Sequence, residues 1–370
     1  MQPAILDAHG HTPAPLTVHE REWASAVDSG KVMAAFTELK RRQALSLSEK
    51  IDMSLARIKD WYEAWDGQVS VSFSGGKDSS VLRWLVRLLY PDVPMVHCNT
   101  GLEYPEVERM VKSTPNHIIL RPAMPFWRVI QVHGWPIASK KIARGVNILR
   151  HPTPNNANIR RLYDEGINRF GRLVHGYKIA KQWRFLIDAP FPVSDACCGV
   201  MKKTPAAKYE KATGRKPFVG TLASDSKQRQ KQYIKTGCNA YDQEHPKSQP
   251  LSFWTEQDVL ACIREHNIPI PSVYGRIEDR EDGQLITTGV RRTGCVFCCF
   301  GLHMDHLDGP DNRFQMLSRT HPRLYSYCMD RLGLRGVLQH CKDKAPANLA
   351  KRFVWEPEQR FEQCSIAEEV

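Results

Sequence analysis

The chain has 370 residues, 42% hydrophobic and 25% charged, a composition typical of a globular protein with one large domain or two to three smaller ones. It excludes wholesale disorder, collagen-like repeats and a coiled-coil rod. We find no apolar run of about 20 residues and no secretory leader, so we expect no membrane partner and a cytoplasmic location. Lys and Arg exceed Asp and Glu by 12, which favours polyanionic partners such as nucleotides or nucleic acid.

Apolar spacing predicts helices from Lys31 to Trp65, after a loosely ordered arm. A β-branched run at Val69–Phe73 predicts a strand, and strands then alternate with helices, which indicates an α/β fold with a doubly wound parallel sheet. Helical spacing also covers residues 160–185, and Thr255 is a candidate N-cap of a later helix. We therefore predict N-terminal arm and helices over 1–66, a nucleotide-binding α/β domain over 67–275, and a loop-rich, cysteine-containing region over 276–370.

The segment between the first predicted strand and the next helix is rich in Gly and Ser. Its residues are Ser74, Gly75, Gly76, Lys77, Asp78 and Ser79. Paired glycines let the backbone approach an anion, and the N–H groups of the following helix can then hold phosphate, with Lys77 adding positive charge. The spacing differs from GxxxxGK(S/T), so this is not a Walker-type loop.

This segment resembles the SGGxDS loop of the adenine nucleotide α-hydrolase superfamily. The resemblance implies that Ser74–Ser79 binds ATP and holds its pyrophosphate, with Lys77 and Asp78 assisting and Mg²⁺ screening the phosphates. It also implies that an acceptor oxygen attacks the α-phosphorus, giving an adenylated intermediate and pyrophosphate.

Three later segments resemble the phosphoadenosine phosphosulfate (PAPS) reductase family. Asn99–Pro105 is similar to its (D/N)TGxxxP element, and Pro250–Val259 to its P(L/I)xxWTxxDV element. Gly220–Arg229 is similar to GxRxxESxxR, with Leu222 and Asp225 where Arg and Glu are usual. The resemblance implies that further residues face the nucleotide, namely Thr100, Gly101, Glu103, Ser226 and, in a catalytic role, Arg229.

Eleven cysteines in a cytoplasmic chain favour metal or sulfur chemistry over disulfides. Adjacent Cys197 and Cys198 are poor partners for one tetrahedral Zn²⁺, whereas a cubane offers them separate irons. Together with Cys295 and Cys298 they resemble the [4Fe–4S] site of adenylylsulfate reductases; Zn²⁺ or no metal are the alternatives. The remaining thiols are expected to be packed side chains, namely Cys98, Cys238, Cys262, Cys299, Cys328 and Cys341.

The choice between sulfur transfer and reduction depends on two departures from the reductases. Their C-terminal ECG(L/I)H is replaced here by EQCSIAEEV, which contains Cys364, and their loop is not SGGKDS. Both departures favour an ATP pyrophosphatase, and the chain most resembles the Dnd- and Ssp-type enzymes of DNA phosphorothioation. That resemblance implies a DNA acceptor, a cysteine desulfurase as sulfur donor, and other modification-complex subunits.

Three alternatives stay open, namely an adenylylsulfate or PAPS reductase, a tRNA thiolation enzyme, and a non-enzymatic nucleotide or redox sensor that binds nucleic acid. The stretch from Lys202 to Lys235 carries ten Lys/Arg and two acids. It predicts either a phosphate-binding surface or a solvated basic face. Beside the second cysteine pair, His303 and Asp305 are expected to form hydrogen bonds rather than to ligate metal.

Overall fold

The computed structural model describes residues 29–307 and 311–356, so that the predicted arm and Cys364 lie outside the described residues. The helices are α1 Ser29–Gln43, α2 Leu47–Ala64, α3 Lys77–Leu89, α4 Pro105–Ser113, α5 Phe126–His133, α6 Lys140–Arg150, α7 Ala157–Asp164, α8 Thr204–Thr213, α9 Lys227–Thr236, α10 Glu256–Glu265, α11 Arg313–Thr320, α12 Pro322–Ser326, α13 Leu334–Lys344 and α14 Ala347–Ala350. The strands are β1 Val69–Ser72, β2 Met95–Cys98, β3 His117–Leu120, β4 Ile137–Ala138, β5 Lys216–Val219, β6 Asn239–Ala240, β7 Lys247–Ser248, β8 Ile277–Asp279, β9 Leu285–Thr287 and β10 Cys299–Phe300.

The chain divides into two compact units. The first unit contains residues 29–99, 103–121 and 205–293, and the second contains 100–102, 122–204 and 294–356. Both units are assembled from separated segments, whereas the predicted domains are continuous ranges; the boundaries at 66 and 275 stay a prediction.

A six-stranded sheet in the order β3-β2-β1-β5-β7-β6 forms the centre of the first unit. The first five strands of this order are parallel, and β6 joins the edge antiparallel to β7. The predicted α/β fold with a mainly parallel sheet is thus confirmed. The strand order reverses direction between β1 and β5, and ligands of open parallel sheets bind beyond the carboxyl ends of the strands at such a point.

Buried apolar side chains on β1 and its neighbours hold the first unit together. Val69, Val71 and Phe73 are almost fully buried, as is Trp61 of α2. Ser70, which alternates with these residues, is 3% exposed, so β1 is covered on both faces, as expected of a strand inside a parallel sheet.

A buried ion pair fixes the start of α10. Thr255 and Asp258 form a capping box, and the buried Lys50 ammonium lies 2.7 Å from the Asp258 carboxylate. This confirms Thr255 as the N-cap. The arrangement fixes the direction of the first turn of α10, where Glu256 begins the helix.

The second unit is mainly helical, with short β4 and β10 paired in parallel. The helix expected over residues 160–185 is found only at its two ends, as α7 up to Asp164 and as a 3-10 helix that begins at Lys181, and it is wrong between them. Gly166, Gly171 and Gly176 have φ of +85°, +76° and +80°, a backbone conformation that a helix cannot contain. The chain therefore turns back on itself, with Ile167 bridged antiparallel to Leu173.

Across 29–307 and 311–356, no helix combines the length and the apolar character that crossing a bilayer requires.

Candidate nucleotide and cysteine sites

Glycine at position 75 is required by the loop between β1 and α3. Gly75 has φ of +73°, and a Cβ there would lie 2.8 Å from the Val107 side chain. A Cβ on Gly76 would lie 3.0 Å from the Thr293 hydroxyl and 3.1 Å from the Tyr274 hydroxyl, so these hydroxyls would have to shift slightly. The backbone is thus held in a tight cradle, in which the conformation at position 75 favours glycine and Gly76 lies close to its neighbours.

Serine hydroxyls close this loop from within. The Oγ atoms of Ser74 and Ser79 lie 3.0 Å apart, and the Ser79 hydroxyl donates to the Gly76 carbonyl at 2.9 Å. Helix α3 then starts at Lys77, and its first-turn N–H groups have no earlier helical carbonyl to receive them. The 13-residue helix directs these groups and the positive end of its dipole toward the loop. This is the arrangement that binds anions.

Lys77 is 5% exposed and its ammonium is held by two acceptors. Its Nζ donates to the Glu256 carboxylate and, at 2.9 Å, to the Arg291 carbonyl. Its backbone N–H donates to the Tyr274 hydroxyl at 3.2 Å. Burial opposes ionisation of Glu256, but the charge and hydrogen bond of Lys77 together with the charges of Arg291 and Arg292 outweigh it, and the pKa of that carboxyl is lowered. The Glu256 carboxyl is therefore charged at neutral pH.

Asp78 differs from Lys77, whose ammonium has two acceptors, because one of its carboxylate oxygens, the buried Oδ1, has no hydrogen-bond donor among the described residues. Burial raises the pKa of Asp78 to about 6, against the lowering effect of Lys77. An unsatisfied buried carboxylate beside an anion cradle is the kind of group that functional sites retain at a cost in stability.

The start of α3 lies against the end of β5. A Cβ added to Gly220 would sit 3.2 Å from the Asp78 carbonyl oxygen. The loop therefore lies where the strand order reverses, between β1 and β5.

Ser226 and Arg229 lie at the start of α9. Ser226 caps this helix by accepting from the Arg229 N–H at 3.3 Å, and the Arg229 guanidinium is ion-paired with Asp225. Arg292 also approaches Asp225, at 3.5 Å. Asp225, which stands where the family motif has Glu, thus binds two guanidinium groups. The nucleotide contact expected of Arg229 stays a prediction.

Sequence reasoning missed several residues around Lys77. Glu256 lies in the family-like segment Pro250–Val259 and Tyr274 follows that segment, but nothing local showed that they reach the loop. Arg291, Arg292 and Thr293 directly precede the second cysteine pair, and in the sequence only the cysteines of this segment were singled out. The sequence feature that could have indicated these residues is a pair of arginines followed by threonine.

The residues after β2 divide between the units. Thr100 and Gly101 belong to the second unit and Glu103 to the first. The Thr100 hydroxyl lies 3.9 Å from the Cys295 sulfur. Their expected contacts with a nucleotide stay a prediction.

All four predicted cluster ligands belong to the second unit. Cys197 and Cys198 precede a π-helical turn at Gly199–Lys203, and such turns are frequent at functional sites. The Cys197 thiol hydrogen-bonds to Cys198, which with Lys140 and Lys202 lowers the pKa of Cys198 to about 6. The same contact raises the pKa of Cys197.

The other pair shares the electrostatic environment of the first. Burial, followed by the charge of Cys295 and with a smaller effect of Cys198, raises the pKa of Cys298 to about 11. In the parts of the chain that can be described, no three His, Cys, Asp or Glu side chains gather tightly enough for a single metal ion. That these four thiols bind a [4Fe–4S] cluster rather than Zn²⁺ stays a prediction.

The residues next to these thiols form hydrogen bonds that hold the cysteine segment in place. Cys299 is buried on β10 and its thiol donates to the Phe297 carbonyl at 3.5 Å. Asp305 holds the Arg313 guanidinium at 2.7 Å, and Arg313 in turn donates to the Cys298 carbonyl at 2.9 Å. Asp305 thus supports the cysteine segment through Arg313.

The basic stretch from Lys202 to Lys235 divides between the two units. Lys202 and Lys203 belong to the second unit and the rest to the first. Lys216 is paired with Glu210 at 3.3 Å and Arg229 with Asp225. Two of its ten basic side chains are therefore paired with the two acids of the stretch.

The phosphoadenosine phosphosulfate reductase domain matches residues 68–140 and 165–299, more than half of the chain. The chain belongs to this family. The matched ranges contain the loop at 74–79 and all four candidate cysteine ligands. They omit residues 141–164, which include most of α6 and all of α7.

Two curated relatives share shorter segments. The uncharacterized protein MJ0973 of Methanocaldococcus jannaschii is 31% identical over 96 residues, covering 24% of this chain and 23% of that protein. The uncharacterized protein MJ0066 of the same organism is 37% identical over 84 residues, covering 21% and 18%. The chain therefore spans less than a quarter of either relative.

Among solved structures, the PAPS reductase of Candida auris in complex with phosphate is similar over 72% of this chain and 97% of its own, with 13% identity and a TM-score of 0.33.

Proposed function

We propose that this member of the PAPS reductase family is an ATP pyrophosphatase that adenylates an acceptor for sulfur insertion, with a DNA phosphate as the acceptor. The observation that carries the proposal is the cradle at Ser74–Ser79. It combines a glycine with positive φ, a second glycine in close contact with two hydroxyls, a helix N-terminus and a buried lysine. Such a cradle suits a polyphosphate, because each phosphate oxygen needs a donor at short range.

The chain's own residues supply the binding and the charge balance. The first-turn N–H groups of α3 would hold the pyrophosphate portion, and Lys77 would exchange its contact with Glu256 for one with phosphate. Arg291, 3.7 Å from Glu256, would then keep that carboxylate compensated. Mg²⁺ would screen the remaining phosphate charge.

The reaction that follows from this binding is a substitution at the α-phosphorus. An acceptor phosphate oxygen forms a bond to the α-phosphorus while the bond to the β-phosphate oxygen breaks, and pyrophosphate leaves. The persulfide of a cysteine desulfurase partner would then attack the acceptor phosphorus and displace AMP. A thiol reductant would finally cleave the sulfur–sulfur bond and leave the sulfur on the acceptor.

The four thiols of the second unit would hold a [4Fe–4S] cluster in this proposal. They fit it as a donor set, since four cysteines from two segments share one electrostatic environment and the pKa of Cys198 is lowered to about 6. A cluster would supply a fixed charge and a cross-link between residues about 100 apart.

The test is to incubate the full chain anaerobically with ATP labelled at the α-phosphate, Mg²⁺ and one candidate acceptor at a time. Duplex DNA, single-stranded DNA, tRNA and buffer alone form the series, and pyrophosphate and AMP are measured. Acceptor-dependent pyrophosphate release, greatest with DNA, is the expected result.

The competing reductase activity is measured in the same preparation. Adenylylsulfate or PAPS is supplied with a dithiol reductant, and sulfite is assayed. Sulfite formation without pyrophosphate release from ATP would refute the proposed function. Release that depends on tRNA alone would keep the chemistry and replace the acceptor.

A further inference from the structure

A turn in the second unit exposes large apolar side chains beside basic ones. We call residues 166–178 the aromatic–basic hairpin. Phe170 is 70% exposed, Leu173 62% and Tyr177 44%. Exposed apolar side chains that cluster in this way mark interaction surfaces.

Hydrogen bonds fix the backbone of the hairpin tip, which carries the exposed side chains. The Asn168 side-chain oxygen accepts from the backbone N–H groups of Phe170 at 2.9 Å and Arg172 at 3.0 Å. The Asn168 N–H donates to the Arg172 carbonyl at 2.9 Å, and Gly171 supplies the left-handed turn residue. Phe170 is thus presented by a hydrogen-bonded turn, as a preformed binding group should be.

The base of the hairpin is packed on its unit. Ile179 is fully buried and its N–H donates to the Tyr163 carbonyl at 2.8 Å. Gly145 of α6 allows this approach, since a Cβ there would lie 2.5 Å from Tyr163 and 2.9 Å from Ile179. The Lys141 ammonium donates to the Gly176 carbonyl. The anchored base fixes where the tip points.

The charge of the hairpin is one-sided. Residues 166–178 contain three Lys or Arg and no Asp or Glu. The Arg169 guanidinium lies 4.6 Å from the centre of the Phe170 ring. By contrast, Arg161 and Arg184 close by are held by Glu165 at 3.1 Å and Asp164 at 2.8 Å. The tip therefore combines positive charge with aromatic faces.

We propose that the aromatic–basic hairpin binds a single-stranded nucleic acid. Bases would stack on Phe170 and Tyr177, and Arg169, Arg172 and Lys178 would contact phosphates. Basic charge alone fits any polyanion, but exposed aromatic rings add a requirement for unstacked bases, which a regular duplex does not offer. The proposal extends the proposed function by naming a surface for the acceptor strand, although it rests on different residues.

The test measures binding without ATP, so that its failure and a failure of ATP chemistry are read separately. Fluorescence anisotropy of the full chain is recorded with labelled single-stranded DNA, RNA of the same sequence and the DNA duplex. We expect single strands to bind more tightly than the duplex, and the RNA and DNA arms identify which strand is preferred. Phe170→Ala should weaken single-strand binding about tenfold, the effect of losing one base–aromatic stack, while Phe170→Trp should retain it.

Charge variants complete the test. Arg169→Ala with Arg172→Ala should lower the slope of log affinity against log salt by about 1.4, since each lost phosphate contact on a single strand removes about 0.7. Arg323→Ala, at an exposed arginine outside the hairpin, is the matched control. It should change the affinity less than Phe170→Ala does and the salt slope less than the double arginine variant does. Wild-type affinity in Phe170→Ala, an equal loss in Arg323→Ala, or tighter binding of the duplex would overturn the proposal.

Discussion

Two glycine-containing turns of this chain differ in the burial and the pairing of their basic side chains. At Ser74–Ser79 the basic group is buried, and Lys77 has a carboxylate and a carbonyl as acceptors. In the aromatic–basic hairpin the arginines stand in a segment without any acid. A buried, compensated lysine selects one small anion by geometry, whereas an exposed basic turn suits a long polyanion of variable sequence. The comparison therefore separates the two ligands of the proposed reaction.

The largest expected effect separates the two turns by function. Lys77→Ala should reduce pyrophosphate release at least 100-fold, because it removes the buried charge that faces the phosphates. It should leave single-strand binding within twofold of wild type. Rates of pyrophosphate release and anisotropy on the same preparations check this, with Lys59→Ala on exposed α2 surface as the control. Full activity in Lys77→Ala would remove the loop from the chemistry.

The next largest expected effect is a loss of iron from the second unit, which also contains the hairpin. Anaerobically purified protein should be brown with about four irons per chain, and Ser in place of Cys197, Cys198, Cys295 or Cys298 should lose most of that iron. Cys299→Ser should keep it, because a serine hydroxyl can still donate to the Phe297 carbonyl. Iron and zinc are measured on each variant.

The ligand set would be wrong under either of two results of that measurement. One is stoichiometric zinc in anaerobic preparations. The other is a requirement for Cys299 together with tolerance of change at Cys197 or Cys198.

Asp78 should reveal a stability cost at the phosphate loop that the hairpin does not share. Its pKa is raised to about 6 from 3.8, so the folded state favours the protonated form, and that stabilisation is lost as pH rises through 6. Asp78→Asn should therefore raise the free energy of unfolding by about 3 kcal/mol at pH 7, and by almost nothing below pH 4.

Denaturant unfolding at both pH values measures this difference. Asp282→Asn, at an exposed carboxylate, is the control and should show no comparable gain at pH 7. An Asp78→Asn gain that does not change with pH would mean that burial of charge is not its cause.

A pair of glycine substitutions gives the smallest effect and the sharpest comparison. Gly75 and Gly171 have nearly equal φ, +73° and +76°, so alanine at either position costs about 1 kcal/mol of backbone strain. Only at Gly75 does the new Cβ meet a neighbour, Val107 at 2.8 Å, which adds about 1–3 kcal/mol. Thermal or denaturant unfolding of the two variants checks the difference, and equal losses would contradict it.

Local patterns predicted the first part of the fold and of the site. Val69–Phe73, the glycine pair and α3 adjoin in sequence, so a short-range pattern suffices to place a strand, a glycine-containing loop and a helix. The capping box at Thr255 is likewise local.

The rest depends on contacts that spacing does not encode. Glu256 reaches Lys77 from 179 positions away, and Lys216 finds Glu210 where the composition suggested a basic surface. In the hairpin, the apolar spacing of residues 160–185 matches a helix. Only the positive φ of three glycines, an outcome of tertiary packing, makes it a turn.

The interleaving of the two compact units along the chain bears on the order of events during synthesis. Strand β1 must wait for β5, about 150 residues later, and β4 for β10, about 160 residues later. Closing such long loops costs entropy before any contact rewards it. The apolar strands β1, β2 and β3 therefore leave the ribosome well before β5, the other strand that pairs with β1. We expect a nascent chain that depends on holdase chaperones, folds slowly at high contact order, and yields more soluble protein when translation is slowed by low temperature.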